Sequence, residues 1–151
     1  MRKLKRTVQK AALAALFLVW ACSMQAQTTN EWTSTSDTSW GTQANWATGN
    51  IPGKGSERDF AVFFDAPGTQ TSVSLGGNTY KIGGLYFSQS DTLDSGAFTL
   101  KTSLYANPSI FVTNNASVSL LGVDIHNNNA SGLTLAGIGN LTIDGAISGS
   151  G

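Results

Sequence analysis

The sequence contains few of the residues that most often carry enzymatic chemistry. Its 151 residues include one cysteine and one histidine, and charged residues make up 12% of the chain. A single cysteine cannot form an intramolecular disulfide, and the lone His126 has no cysteine or second histidine with which to build a zinc site. Alternation along the surrounding strand places His126 on an outward face, so we expect a solvated or structural histidine.

The motifs of common catalytic sites are also missing. No G-x-S-x-G nucleophile motif occurs, and Gly137 and Gly139 lack the third glycine and the helix of a dinucleotide site. Glu57, Asp59 and Asp65 lie close together in the sequence, and a catalytic carboxylate pair or a calcium site is the alternative to a structural role there. We predict a protein that has no catalytic activity and needs no cofactor or metal ion.

The first 26 residues have the layout of a secretory signal peptide. Basic residues precede an apolar run of ten residues from Ala11 to Trp20, and small residues follow. A membrane-spanning helix needs roughly 20 apolar residues, so this run suits a leader that is cleaved after Ala26 or Ser23. The residues around Cys22 loosely resemble a lipobox, so acylation of Cys22 is the alternative to its removal.

Export would remove most of the positive charge. Five of the nine Lys and Arg residues lie in the leader, whereas all nine acidic residues lie after it, which leaves a net charge of −5. Binding to nucleic acid or to an anionic lipid surface requires clustered cations. Neither is therefore predicted as a partner.

The rest of the chain is dominated by short apolar alternations that polar turns separate. A period of two puts both members of an apolar pair on one face of a strand. Gly, Asn, Ser and Asp, which tolerate turn conformations, lie between the pairs. The pairs are Val73/Leu75, Leu85/Phe87, Phe98/Leu100, Ile110/Val112, Val118/Leu120, Val123/Ile125, Leu133/Leu135 and Leu141/Ile143. This pattern predicts an all-β fold and suits a sandwich or a solenoid equally.

A longer period favours the solenoid. The apolar residues Leu85, Leu93 and Phe98 recur 25 positions later as Ile110, Val118 and Val123, and Ile110, Val118 and Leu120 recur 23 positions later as Leu133, Leu141 and Ile143. Three apolar pairs in each 23–25-residue coil predict a parallel, right-handed β-helix over residues 70–151, with about three strands per coil. Each coil would bury its inward face by stacking on the next.

Residues 27–69 have a different composition. Trp32, Trp40 and Trp46 lie within fifteen residues of one another, and an apolar run from Phe60 to Phe64 follows. A solenoid whose first coil is open would expose its core and its sheet edge, so we predict that this region forms an aromatic cap. The alternative is a carbohydrate-binding surface in which the three tryptophans are exposed and stack on sugar rings. Buried indoles would favour the cap.

Three stretches carry a family resemblance. They are W…W…NW…P-G…D-x-A-x-F between Trp32 and Phe63, G-L-Y-F between Gly84 and Phe87, and the glycine-punctuated segments between Gly132 and Gly149. Together they resemble the autotransporter-associated β-strand repeat proteins of Gram-negative bacteria, over about residues 31–151. The resemblance implies a secreted passenger β-helix at the cell surface, with a role in adhesion or in a surface matrix.

The chain departs from that family in two ways. The family's fuller repeat runs on into a K-x-G-x-G-x-L-x-L segment, which would lie beyond Gly151, and its translocating barrel needs at least eight membrane strands. We expect further coils and a translocator in additional sequence after Gly151. The function predicted is a structural or adhesive cell-surface passenger that contacts surface glycans or matrix. The alternatives are the carbohydrate-binding module already described and, more remotely, a polysaccharide-degrading β-helix enzyme.

Overall fold

A computed structural model describes residues 28–55, 59–100, 108–113, 115–127 and 132–149. The predicted leader with Cys22 lies outside these residues, as do Glu57 and Arg58. The described chain is almost entirely β-structure, with one short 3₁₀ helix at Gln43–Asn45. The strands are β1 (Thr29–Glu31), β2 (Phe60–Phe63), β3 (Ser72–Ser74), β4 (Thr79–Ile82), β5 (Gly84–Phe87), β6 (Thr92–Leu100), β7 (Ser109–Val112), β8 (Ser117–Asn127), β9 (Thr134–Gly137), β10 (Asn140–Ile143) and β11 (Ile147–Gly149).

The strands form two parallel sheets that wind into a solenoid of about three turns. The first sheet has the order β1-β2-β5-β7-β9, and all of its pairings are parallel. In the second sheet β3 and β4 pair with β6, β6 pairs with β8, and β8 pairs with β10 and β11, again all in parallel. Parallel strands one coil apart are what stacked coils require. The predicted all-β parallel solenoid is confirmed.

The second sheet bends within each coil, which divides its long strands into two segments. Ser95 in β6 and Gly122 in β8 occupy equivalent positions and both have φ of 59°. Leu93 and Phe98 are five positions apart, an odd number that would place them on opposite faces of a flat strand. Both are nevertheless fully buried, because the left-handed residue between them turns the chain. Each coil therefore contributes three strand segments.

The alignment of the coils differs from the predicted one by two residues at several positions. Leu93 pairs with Leu120 instead of the predicted Val118, and Phe98 pairs with Ile125 instead of Val123. The pairing of Leu85 with Ile110 and that of Leu120 with Ile143 agree with the prediction. Ile110 in turn pairs with Leu135, two residues beyond the predicted Leu133.

The chain between the first and the second sheet accounts for part of this difference. Five positions separate Phe87 from Thr92, whereas seven separate their partners Val112 and Ser119. A slip of two residues keeps every side chain on its original face, so the apolar pattern tolerates it.

The core is a continuous apolar column that the two sheets and the cap region enclose. Its first-sheet residues stack from coil to coil, as in Ala61, Leu85 and Ile110, and the rings of Phe63 and Phe87 are stacked with centroids 4.8 Å apart. Burying each such side chain contributes about 1.5–3 kcal/mol. Leu141 and Ile143 in the last described coil are only partly buried against the column.

In the part of the chain that the structure describes, no helix has the length and apolar character that a membrane crossing needs.

Candidate functional site

The three tryptophans that sequence analysis proposed as sugar contacts are buried. Trp32, Trp40 and Trp46 expose 1%, 0% and 2% of their surface. The rings of Trp32 and Trp40 meet that of Trp46 edge to face, with centroids 5.1 and 4.7 Å away. Trp40 also packs against Tyr80 and Phe98 of the first coils. No indole face is open to a ligand, and the residues lie where a cap is expected.

Each indole N–H of this cluster has a backbone partner. Trp32 donates to the carbonyl oxygen of Gln70 at 3.0 Å, Trp40 to that of Pro52 at 3.2 Å, and Trp46 to that of Trp40 at 2.9 Å. Buried indole N–H groups normally require such partners. The N–H group of each indole is therefore already bonded within the fold, unlike that of an indole that binds a sugar.

The turn that carries Trp40 is held by side chains of its neighbours. The Asp37 carboxylate accepts a hydrogen bond from the backbone N–H of Ser39 at 2.9 Å, and this bond is the main reason that the pKa of Asp37 lies below its ordinary value. The buried Asn45 amide donates to the carbonyl oxygen of Ser39 at 2.8 Å. These bonds fix the direction in which the chain enters the cluster.

The other residues considered for chemistry are not brought together. His126 faces outward, and its Nδ1 lies 2.7 Å from the hydroxyl of Ser148, its partner in the next coil. Asp59 is buried whereas Asp65 is exposed. Among the described residues, no three His, Cys, Asp or Glu side chains are grouped so that they could hold a metal ion.

A polar cleft of about 350 Å³ lies beside β1, and residues of the cap region line it. The fully buried Asn30 contributes an amide whose Oδ1 accepts from the Thr48 hydroxyl and whose Nδ2 has no hydrogen-bond partner. Ile51, Lys54 and Asp59 also line the cleft.

A buried acid lies at the turn between the two sheets. Asp91 accepts a hydrogen bond from the Gln89 side-chain amide at 2.8 Å, and the Thr69 hydroxyl donates to Gln89 Oε1 at 3.1 Å. The second oxygen, Asp91 Oδ2, is buried without a partner. Burial raises the pKa of Asp91 to about 7, and the bond from Gln89 offsets only part of that rise.

The outer face of the first sheet is unusually apolar. Residues Phe60 and Val62 of β2, Tyr86 of β5 and Phe111 of β7 alternate with the inward-facing core residues and so point outward, and of these four Val62 is itself buried. Phe64 follows β2 and continues this face. By contrast, the outward residues at the start of β8 are Ser117 and Ser119. Strands β2 and β5 thus carry apolar or aromatic residues on both faces, a pattern typical of sheets that are covered on both sides.

Three aromatic residues of this face form a continuous row, which we call the outer aromatic row: Phe64, Tyr86 and Phe111. The Phe64 and Tyr86 rings meet at 65° with centroids 6.0 Å apart, and the Tyr86 and Phe111 rings are parallel within 3° with centroids 5.7 Å apart. Phe64 and Phe111 expose 42% and 38% of their surface. Large exposed apolar groups that lie side by side mark interaction surfaces.

A glycine shapes the edge of this face. A Cβ at Gly84 would lie 2.5 Å from the Phe60 ring and 2.4 Å from the backbone oxygen of Ser109. The missing side chain lets the Phe60 ring lie over β5, and the ring is partly buried as a result.

Sequence analysis did not identify the outer aromatic row, although the sequence contains a signal for it. Apolar pairs two positions apart define only one face of each strand, and in this protein that face is the inner one. The unbroken apolar runs F-A-V-F-F and G-L-Y-F show that the positions between the pairs are apolar too. Such runs indicate strands with two apolar faces.

Comparison with known proteins does not identify the chain. No protein-family profile matches it, and neither a curated protein nor a solved structure was found to be similar.

Proposed function

We propose that this chain is an exported, non-catalytic cell-surface protein of a Gram-negative bacterium, in which the solenoid is an adhesive passenger. The resemblance to autotransporter-associated β-strand repeat proteins and the basic and apolar leader motivate the export. One structural observation supports an adhesive role above all. The solenoid displays an apolar, aromatic outer face on its first sheet, at residues where a purely structural coil would carry polar side chains.

The parallel coils support the same proposal. They place equivalent residues of successive coils in straight columns, so a surface feature that begins in one coil is extended by the next. Such columns give a broad contact surface without a cleft. Contact by a surface of this kind needs no catalytic group and no cofactor.

Export can be tested with the full chain produced in a Gram-negative host. The protein should leave the cytoplasm and lose its first 26 residues, so that N-terminal sequencing starts at Gln27. A matched control, Leu16→Arg, places a charge in the apolar run and should keep the chain unprocessed. An unprocessed wild-type chain in the cytoplasm would refute the proposal.

Adhesion can be tested with the exported protein coupled to beads. Beads that carry the chain should be retained on a polysaccharide-coated surface, whereas beads that carry the heat-unfolded chain should not. Equal retention of both preparations would show that the folded surface has no adhesive role.

A further inference from the structure

We propose that the outer aromatic row binds a neutral polysaccharide, an inference that rests on the adhesive function proposed above. The row consists of Phe64, Tyr86 and Phe111 on three successive coils, with Phe64 and Phe111 exposed and Tyr86 between them partly exposed. The ligand would lie along the solenoid axis, across the strands.

The arrangement of the rings leaves part of each face open. The Tyr86 and Phe111 rings are parallel within 3°, and their centroids are 5.7 Å apart, which exceeds the roughly 3.5–4 Å between ring faces that overlap fully in contact. Each ring therefore covers only part of its neighbour. The result is a stepped apolar surface, on which the C–H face of a sugar ring can pack.

Hydroxyl groups border the row. Ser109 and Thr113 lie two positions before and two positions after Phe111, so their side chains point to the same face, and both are partly exposed. A sugar ring has an apolar face and a rim of hydroxyl groups. An aromatic surface with hydroxyl groups beside it matches both parts. A lipid chain or an apolar protein surface would instead leave these hydroxyl groups without a hydrogen-bond partner.

The charge of this face favours a neutral ligand. In the first-sheet strands β2, β5, β7 and β9 the outward positions hold no charged residue, and the carboxylate of Glu31 in β1 lies beyond Val62 at one end. A polymer of uronic acids or sulfated sugars requires cations for its recognition. Among the described residues the face offers no cation, and the charged residues beside it, Glu31 and the exposed Asp65 after Phe64, are both acidic.

The length of the row favours a polymer over a single sugar. Neighbouring strands lie about 4.8 Å apart, so the row, which runs from Phe64 just after β2 to Tyr86 in β5 and Phe111 in β7, extends over about 10 Å across the strands. That length accommodates more than one sugar unit. Contacts to successive units add up along one chain, which suits adhesion to a polysaccharide surface.

The test is affinity electrophoresis of the full exported chain in gels that contain mixed-linkage β-glucan, mannan, starch or polygalacturonate. The variants are Phe111→Ser and Tyr86→Ser. The matched control is Leu121→Ser, which removes an apolar side chain of 44% exposure from the second sheet. Far-UV circular dichroism and the unfolding midpoint confirm that each variant is folded.

We expect at least one of the three neutral polysaccharides to retard the wild-type chain and Leu121→Ser equally. Removing a ring at the centre of a contact should weaken the apparent affinity by about fivefold or more in Phe111→Ser and Tyr86→Ser. Polygalacturonate should retard none of them.

Three results would overturn the inference: no retardation by any neutral polymer, equal retardation of all four proteins, or retardation by polygalacturonate alone. A dimer in solution that both row variants abolish, without glucan, mannan or starch binding, would assign the row to self-association instead. The proposed function fails separately, because it requires processing and export of the chain whatever the gels show.

Discussion

The indole N–H of Trp46 donates a hydrogen bond to the backbone carbonyl oxygen of Trp40 at 2.9 Å, while the two rings meet at 69° with centroids 4.7 Å apart. One residue thus satisfies the other's backbone and packs against its ring at the same time. The two tryptophans therefore stabilise each other's position in the cap region.

The first prediction concerns these two residues. Trp40→Ala should lower the free energy of unfolding by about 3–5 kcal/mol, since it removes a fully buried indole ring. Trp46→Phe keeps most of the ring but leaves the Trp40 carbonyl oxygen without this donor, at a cost of about 1–2 kcal/mol. Urea unfolding followed by far-UV circular dichroism measures both.

The control for this pair is Leu121→Ala at an exposed site, which should change stability by less than about 0.5 kcal/mol. A loss below about 1 kcal/mol in Trp40→Ala would contradict the assignment of the cluster to the core.

The second prediction concerns the bend of the second sheet. Ser95 and Gly122 both have φ of 59° at equivalent positions, and a Cβ at Gly122 would meet nothing within 4 Å. Gly122→Ala should therefore cost about 1–2 kcal/mol from backbone conformation alone. Ser95→Gly should stabilise the protein by up to about 1 kcal/mol, because glycine adopts this conformation without penalty.

Calorimetric midpoints of the two variants should move in opposite directions. If Gly122→Ala left the midpoint unchanged, the left-handed conformation of this bend would not be maintained in solution.

The third prediction is a pH dependence that comes from Asp91. Its pKa is about 7 in the folded protein, above the value of about 3.9 for an unfolded Asp, so the folded state binds the proton more tightly. The resulting stability is fully present below about pH 4 and is lost as the pH rises through about 7. Allowing for solvent screening, the loss amounts to about 2–3 kcal/mol.

Asp91→Asn should remove this part of the pH dependence, because the amide is neutral and its oxygen can still accept from Gln89. Urea unfolding of both proteins between pH 4 and pH 8 measures the difference. Parallel stability curves would mean that the folded protein holds Asp91 in its ordinary ionisation range.

The fourth prediction concerns Gly84. Gly84→Ala should destabilise the protein by about 1–3 kcal/mol, because the added Cβ would lie 2.4 Å from the backbone oxygen of Ser109 and 2.5 Å from the Phe60 ring. A ring can rotate away whereas a strand carbonyl cannot. Adding Phe60→Ala to Gly84→Ala should therefore restore little of the loss.

Gly55→Ala provides the matched control, since a Cβ there meets nothing within 4 Å. Its stability should stay within about 0.5 kcal/mol of the wild type in the same thermal unfolding experiment. Full recovery in the double variant would show that only the Phe60 ring opposes the methyl group.

The parallel solenoid could be predicted because its two periods are both visible in the sequence. Alternation fixes which residues face inward, and Leu85 and Phe87 are buried as expected. The alignment of the coils was harder to predict, since Val118 and Leu120 both face inward and an offset of two residues satisfies the apolar pattern equally well. Only the backbone pairing distinguishes them, and the length of an irregular turn decides it.

The surface was harder to predict than the core. A tryptophan can fill a core or bind a ligand with the same ring, so the composition around Trp32 could not decide between the two roles. Burial decides it, and burial depends on how the cap region folds over the first coils. Tyr86 and Phe111, in contrast, lie between the paired core residues, where an apolar side chain has no place in a strand with one solvated face.

The inner strands β2, β5, β6, β7 and β8 make their backbone hydrogen bonds with strands one coil before and one coil after them. A loss of stability in one coil therefore affects its two neighbouring coils most, and the effect decreases with each further coil. Amide hydrogen exchange should consequently be graded along the axis, with β5 and β6 in the middle protected longest and β11 least. Unfolding that begins at one end of the solenoid would leave the remaining coils folded.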